Sequence, residues 1–98
     1  MLHKVNVALQ VLPSSSVKHP YDIVDHAISI IQKSGIKYVV TPFETVMEGD
    51  YDEIMQVVKQ IQLSCLEYGA EGMLSNLKIQ VARNKDVFID DKTGKYQK

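Results

Sequence analysis

Two stretches of this sequence place apolar residues at helical spacing, and short strand-like segments lie before, between and after them. The first stretch carries Ile23, Ala27, Ile30 and Ile31, and the second carries Ile54, Val58, Ile61, Cys65 and Tyr68. This spacing brings the apolar side chains of each stretch to one face of a helix. Each helix therefore needs an apolar surface to cover, and the strands have to supply it.

The strand-like segments have the pattern that such a surface requires. Val5, Val7, Leu9 and Val11 alternate with polar or small residues, as do Leu77, Ile79 and Val81 in the second half of the chain. A period of two is typical of a strand with one buried face. Between the two helices, residues 37–41 and 44–48 are short strand candidates separated by Pro42, which favours a hairpin.

The order strand–helix–strand–strand–helix–strand predicts an α+β fold, the ferredoxin-like βαββαβ sandwich. In this fold an antiparallel sheet carries both helices on one face, and we expect that face to be the one with Val5, Val7, Leu9 and Val11. The opposite face then carries Asn6, Ala8, Gln10, Asn76, Lys78 and Gln80. A partly polar, open sheet face needs water, a ligand or another subunit to cover it.

The chain length is that of one domain, spanning residues 1–98. After the last predicted strand, the tail at 84–98 contains an apolar triplet at 87–89 and a turn-like run at 90–94. This tail either adds an edge strand or hangs loose, and we expect Val87–Asp90 to be ordered and a frayed end to follow.

The charge and hydropathy of the chain argue against several classes of partner. Eleven Lys and Arg against twelve Asp and Glu leave a net charge of −1, so no general attraction to nucleic acid or to a membrane surface is expected. No stretch approaches the roughly 20 apolar residues of a membrane span, and the first residues lack the apolar core of a secretion signal. The predicted location is therefore cytoplasmic.

The residue types that catalysis and metal binding use are not grouped along the sequence. The single cysteine, Cys65, falls on the apolar stripe of the second helix, where it acts as a small hydrophobic residue rather than a nucleophile. His3, His19 and His26 share no metal-ligand spacing. Neither predicted central strand carries the aromatic residues that RNA-recognition modules use. We therefore expect a protein that is not an enzyme and that has no metal or cofactor.

The predicted hairpin contains the most unusual group of polar side chains. Glu44 and Glu48 share one face of their strand and Thr45 lies on the other, because side chains alternate along a strand. Thr45 and Glu48 therefore reach one pocket only if a bulge or a strand end redirects one of them. The two carboxylates lie about 13 Å apart along the strand, too far for the paired acids of a retaining glycosidase. From chemistry alone, the alternative is a solvated edge hairpin whose acids cap the following helix.

The run Pro42–Gly49, Pro-Phe-Glu-Thr-Val-Met-Glu-Gly, resembles the Pro-Met-Gly-Thr-x-Ile-Glu-Gly signature of the small thiamine-binding, YkoF-like proteins. The resemblance extends over roughly residues 5–83. It includes the serine-rich loop after Pro13, the Gly35-x-x-Tyr38 step, Gly69-Ala70 before the last strand and the ending Lys78-Ile79-x-Val81-x-Arg83. Phe43 stands where the family has methionine, and Glu44 replaces a glycine.

This resemblance implies a non-enzymatic binder of thiamine, or of its hydroxymethylpyrimidine part, that assembles into homodimers or homotetramers through sheet faces and edges. The residues indicated as ligand-binding are Glu48, Thr45, Phe43, Tyr38, Ser14, Ser15 and Asn6. A carboxylate would neutralise the thiazolium or accept from the amino group, hydroxyls would form hydrogen bonds, and aromatic rings would stack on the ligand. The alternative is a structural or regulatory assembly module of the same fold that binds no thiamine.

Overall fold

The computed structural model describes residues 3–96 and contains the predicted strands and helices in the predicted order. The elements are β1 (Val5–Ser14), α1 (Pro20–Ser34), β2 (Lys37–Val40), β3 (Thr45–Gly49), α2 (Tyr51–Tyr68), β4 (Gly72–Gln80) and α3 (Ile89–Thr93), followed by a 3₁₀ turn at Gly94–Tyr96. The short helix α3 is an addition to the predicted pattern.

The four strands form one sheet in the order β2-β3-β1-β4, and every neighbouring pair is antiparallel. β1 is central and pairs with β3 on one side and β4 on the other, so β2 and β4 are the edge strands. This α+β arrangement is consistent with the predicted ferredoxin-like fold, to which α3 has been added at the carboxyl end.

The core lies between the sheet and the two long helices. Val5, Val7 and Leu9 of β1 and Met47 of β3 are buried in one cluster with Ile23, Ile31, Ile54, Ile61 and Cys65 of the helices. The predicted helix-covered face is therefore confirmed. Complete burial of one isoleucine side chain contributes about 1.5–3 kcal/mol. Four isoleucines of the helix stripes are fully buried, two from each helix, and their burial stabilises the packing of α1 and α2 on this face.

Local sequence signals set the ends of both long helices. α1 begins with Pro20, and its cap residue His19 accepts a hydrogen bond at Nδ1 from the Tyr21 N–H at 3.1 Å. α1 ends at Gly35, whose φ of 79° is the left-handed conformation that glycine adopts without strain. Before α2, the Asp50 carboxylate accepts from the Glu53 N–H at 3.0 Å.

The predicted edge strand in the tail is wrong. Residues 81–88 form no strand, and the chain then turns into α3 against the sheet face that the long helices leave open. Val87 and Ile89 are buried there, while Phe88 between them points outward and is 38% exposed. The side chains of the apolar triplet thus alternate as they would in a strand. The segment covers the open sheet face because it buries more apolar surface there than it would by lengthening a sheet edge. The frayed end predicted after Asp90 is also wrong for residues 91–96, because α3 continues to Thr93 and a 3₁₀ turn follows at Gly94–Tyr96. Residues 97 and 98 lie outside the described residues.

Candidate functional site

The hairpin strand β3 separates two of the predicted ligand-binding residues. The register between β1 and β3 runs without a bulge from Val5 opposite Gly49 to Leu9 opposite Thr45. Thr45 is therefore buried on the helix-covered face, whereas Glu48 lies on the opposite face. No single pocket on one side of the sheet receives both side chains directly.

Glu48 is paired with Asn6 on the face away from the long helices, and both side chains are more than nine-tenths buried. Glu48 Oε1 accepts a hydrogen bond of 2.6 Å from the Ile89 N–H. Its other oxygen, Oε2, lies 3.6 Å from Lys37 Nζ, which also contacts Asp90 at 3.4 Å. The hydrogen bond to Asp90, together with the charges of Glu48 and Asp90, raises the pKa of Lys37 above its ordinary value of 10.5.

Asn6 binds the same carboxyl-terminal segment as Glu48. With the amide oriented to suit its neighbours, Nδ2 donates to the Val87 carbonyl at 2.9 Å and Oδ1 accepts from Lys92 Nζ at 2.9 Å. The Val87 N–H in turn donates to the Lys4 carbonyl at 2.9 Å. The buried polar groups of this sheet face are thus satisfied by the tail, as buried polar groups have to be.

A cavity of about 500 Å³ lies between this tail and the open sheet face, and we call it the sheet-face cavity. Ala8, Val39 and Val46 contribute its apolar sheet side, and Ile89 and Thr93 contribute the α3 side. The lining is predominantly apolar, and the volume falls within the roughly 300–1,000 Å³ of small-molecule sites. By shape and chemistry it is a candidate binding site.

The polar groups that line the sheet-face cavity are few. They belong to Asn6, Thr41, Lys78, Gln80, Lys92 and Thr93. Lys78 Nζ lies 3.5 Å from Glu44 Oε1, so the glutamate that replaces the family's glycine pairs with a lysine at this site. Among residues 3–96 only glycines have positive φ, so Glu44 occupies its position in an ordinary backbone conformation.

A second, smaller cavity lies between the hairpin and α1. It is lined by Thr45 and Phe43 among others and has a volume of about 80 Å³. Phe43 is 80% exposed at the hairpin tip. Thr41 Oγ1 donates to the Glu44 carbonyl at 2.7 Å and accepts from the Glu44 N–H at 3.1 Å, which closes the turn. This cleft is too small for a whole small-molecule ligand by the usual size of such sites.

The remaining predicted site residues lie elsewhere in the fold. Ser14 ends β1, eight residues from Asn6, and therefore lies about 26 Å from it along the strand. Ser15 Oγ donates to the Gly69 carbonyl at 2.7 Å and accepts from the Lys18 N–H at 3.0 Å, so it shapes the loop before α1. Tyr38 packs against the core on the helix-covered face.

Of the predicted site residues, the structure therefore brings Asn6 and Glu48 together at the sheet-face cavity, and it brings Thr45 and Phe43 together at the smaller cleft. Asn6 lines the sheet-face cavity directly, and Glu48 binds the segment that forms one of its sides. Sequence reasoning missed Ile89, Lys92 and Thr93. The one available signal was the alternation of two buried apolar residues around exposed Phe88 in the tail.

Two further features of the described residues bear on the function. Within residues 3–96, no group of three or more His, Cys, Asp and Glu side chains is arranged to hold a metal ion. None of the helices in this part of the chain is both long enough and apolar enough to cross a bilayer. A depression of about 580 Å³ near His3, Glu53 and Asp86 is lined largely by polar and charged groups, unlike the sheet-face cavity.

Comparison with known proteins places this chain in a family. The family model described as "Thiamine-binding protein" matches residues 7–97. A UPF0045 protein of Clostridium perfringens is 41% identical over 92 residues, which covers 94% of this chain and 96% of the relative. A UPF0045 protein of Methanocaldococcus jannaschii is 28% identical over 91 residues, covering 93% and 90%.

Solved structures agree with this assignment. A domain of unknown function, DUF77, from Bacillus cereus has a TM-score of 0.93 and 37% identity, covering 99% of this chain and 93% of that one. A Thermotoga maritima structure described as a "putative thiamine biosynthesis/salvage protein" has a TM-score of 0.85 and 31% identity, covering 96% and 99%. The resemblance found in the sequence is thereby confirmed: this chain belongs to the thiamine-binding protein family.

Proposed function

We propose that this protein binds thiamine, or a related hydroxymethylpyrimidine compound, in the sheet-face cavity and performs no chemistry on it. The observation that carries the proposal is the cavity itself, about 500 Å³ of predominantly apolar space beside the buried amide of Asn6. The family match and the description of the Thermotoga maritima protein support the ligand class.

The chemistry of the cavity suits a flat, polar-edged ring. An aminopyrimidine has two apolar faces and a rim of hydrogen-bond donors and acceptors. Ala8 and Val46 offer a surface for one face of the ring, and the amide of Gln80 and the hydroxyl of Thr41 offer polar contacts at its rim. In this arrangement Glu48 does not touch the ligand, because its two oxygens bind the Ile89 N–H and Lys37. It positions the segment that closes the cavity.

In this proposal the protein is a cytoplasmic homodimer or homotetramer whose subunits contact each other through their sheet faces and edges. Leu12 and Leu74 are register partners on the sheet face opposite the long helices, and they are 48% and 61% exposed. On the other face of the edge strand β4, Leu77 and Ile79 are also exposed. Exposed apolar side chains on a sheet face and on its edge strand favour contact with another subunit.

Thermal unfolding with and without ligand tests the binding proposal. Thiamine, hydroxymethylpyrimidine and thiamine diphosphate are each added to the purified protein. A ligand at 100 times its dissociation constant stabilises a site by roughly 2.7 kcal/mol. For a domain of this size, each kcal/mol raises Tm by about 4–8 °C, so the shift is readily measured. The absence of a shift at millimolar concentrations of all three compounds would overturn the proposal.

Two neighbouring substitutions locate the site. Val46→Phe fills the sheet-face cavity and is expected to abolish the ligand-induced shift, while Thr45→Val on the other face of the same strand is expected to keep it. The unliganded Tm of each variant is measured first to show that it folds. If Thr45→Val alone abolishes the shift, the ligand binds at the hairpin cleft instead.

The second candidate function is an assembly module without a ligand, and the exposed pair Leu12 and Leu74 favours it. Light scattering at micromolar protein concentration distinguishes the two functions when combined with the unfolding experiment. A stable oligomer that shows no shift with any of the compounds supports the assembly module. A monomer that shows no shift excludes both functions.

A further inference from the structure

The carboxyl-terminal helix places an ammonium group at the sheet-face cavity. Lys92 Nζ lies 2.9 Å from Oδ1 of Asn6, whose side chain is 5% exposed. An ammonium group has three N–H donors, and Asn6 accepts from one of them. In the part of the chain that the structure describes, Lys92 forms no salt bridge with a carboxylate. No carboxylate of residues 3–96 is therefore paired with its positive charge.

A second lysine lines the same cavity from β4. Lys78 pairs with Glu44 at 3.5 Å, and its side chain is 79% exposed, so its charge is only partly compensated. Among the described residues, those that line the cavity include these two lysines and no aspartate or glutamate. Glu48, the buried carboxylate opposite Asn6, is already bound by Lys37 and the Ile89 N–H. The charged side chains that line the cavity are therefore both positive.

The two lysine charges disfavour one form of the proposed ligand and favour another. Free thiamine carries a permanent positive charge on its thiazolium ring, and two neighbouring ammonium groups repel it. A phosphate monoester carries a charge of about −1.5 to −2 at neutral pH and three strong acceptor oxygens. Ammonium groups bind such oxygens through charge-assisted hydrogen bonds.

We propose that the sheet-face cavity selects the phosphate monoester form of its pyrimidine ligand over the unphosphorylated form, with Lys92 as the principal phosphate-binding residue and Lys78 as the second. This inference rests on the proposed function, because it assumes that a pyrimidine compound occupies the cavity. It goes further by naming the charge state of the ligand and the residues that select it.

Isothermal titration calorimetry tests the selection. Thiamine and thiamine monophosphate form one matched pair, and hydroxymethylpyrimidine and its phosphate form the other. Each phosphate ester is expected to bind at least about tenfold more tightly than its partner. Raising the salt concentration is expected to reduce this preference, because exposed charges are screened. Inorganic phosphate alone is titrated as well and is expected to bind more weakly than either ester.

Variants at the lysines show which residue is responsible. Lys92→Met keeps the aliphatic stem and is expected to remove most of the preference, whereas Lys92→Arg is expected to retain it. Lys95→Met is the matched control. Lys95 lies in the 3₁₀ turn after α3, its Nζ contacts the face of the Tyr96 ring, and it does not line the cavity. If Lys92→Met lowers Tm markedly, Lys78→Met is tested instead. This variant is expected to reduce the preference for the phosphate ester in part.

The outcomes separate this inference from the proposed function. If thiamine binds as tightly as its monophosphate, or more tightly, the inference is overturned while the proposed function stands. If inorganic phosphate binds as tightly as the esters, the site recognises an anion alone and the inference is also overturned. If no pyrimidine compound binds, the proposed function fails and the inference fails with it.

Discussion

Asn6 and Glu48 face each other across β1 and β3, and each binds a backbone group of the same tail. Asn6 Nδ2 donates to the Val87 carbonyl at 2.9 Å, and Glu48 Oε1 accepts from the Ile89 N–H at 2.6 Å. Two buried polar residues on an otherwise open sheet face thus fix where the carboxyl-terminal segment lies. That segment supplies one side of the candidate binding cavity, so the pair determines the shape of the site.

We expect Glu48→Gln to destabilise the protein by about 1 kcal/mol, because a charge-assisted hydrogen bond to the Ile89 N–H becomes a neutral one. We also expect it to weaken ligand binding without unfolding the domain. Urea unfolding measures the first effect and calorimetry the second. Asp90→Asn is the matched control, because Asp90 pairs with the same Lys37 but is exposed, and it is expected to change stability by less than about 0.5 kcal/mol. Equal effects of the two variants would contradict the role assigned to Glu48.

We expect Asn6→Leu to destabilise the protein by about 1–3 kcal/mol, because the Val87 carbonyl is left buried without its donor. Gln10→Leu is the control on the same strand and the same face. Gln10 contacts Asn76 at 3.2 Å in an exposed position, so its loss is expected to be close to neutral. Amide exchange at Ile89 is expected to accelerate in the first variant only, and unchanged exchange there would show that Asn6 does not fix the tail.

The Cys65 thiol is expected to resist modification in the native protein. It is completely buried on α2, and this burial raises the pKa of the thiol above its ordinary value of 9.0. A disulfide reagent at pH 8 therefore reacts only through transient opening of the core. The native rate is expected to be lower than the rate in denaturant by a factor on the order of 1,000 or more. Similar rates in the two conditions would show that Cys65 is accessible.

The loop that contains the predicted serines makes a small pH-dependent contribution to stability. The Ser16 hydroxyl and its N–H, which lies 2.8 Å from Glu71 Oε1, lower the pKa of Glu71 below its ordinary value of 4.5. A lowered folded-state pKa gives stability that is present above pH 4.5 and is lost as the pH falls through the lower folded value.

Glu71→Gln is therefore expected to be less stable than the wild type at pH 7, with a difference that shrinks as the pH falls below about 4.5. Urea unfolding at pH 7, 5 and 3 measures this difference. Glu67→Gln, an exposed change of equal charge on α2, is the matched control for the loss of one negative charge. A difference that grows on acidification would contradict the assignment.

The order of the main elements followed from local patterns, because those patterns depend on residues close together in the chain. Each pattern depends on a few neighbouring side chains: the isoleucine stripes of α1 and α2, the alternation in β1 and the end of α1 at Gly35. The separation of Thr45 from Glu48 was predictable for the same reason, since alternation along one strand places them on opposite faces.

The sequence by itself therefore determined the secondary elements, the helix-covered face of the sheet and the family of the chain. Only the tertiary structure decided the path of the tail, which joins Ile89 to Glu48 and Lys92 to Asn6 across long stretches of sequence. Only the tertiary structure likewise shows that the length of β1 separates Ser14 from Asn6. Contacts between distant residues depend on which buried polar groups meet when the sheet face is covered, and no local pattern specifies this.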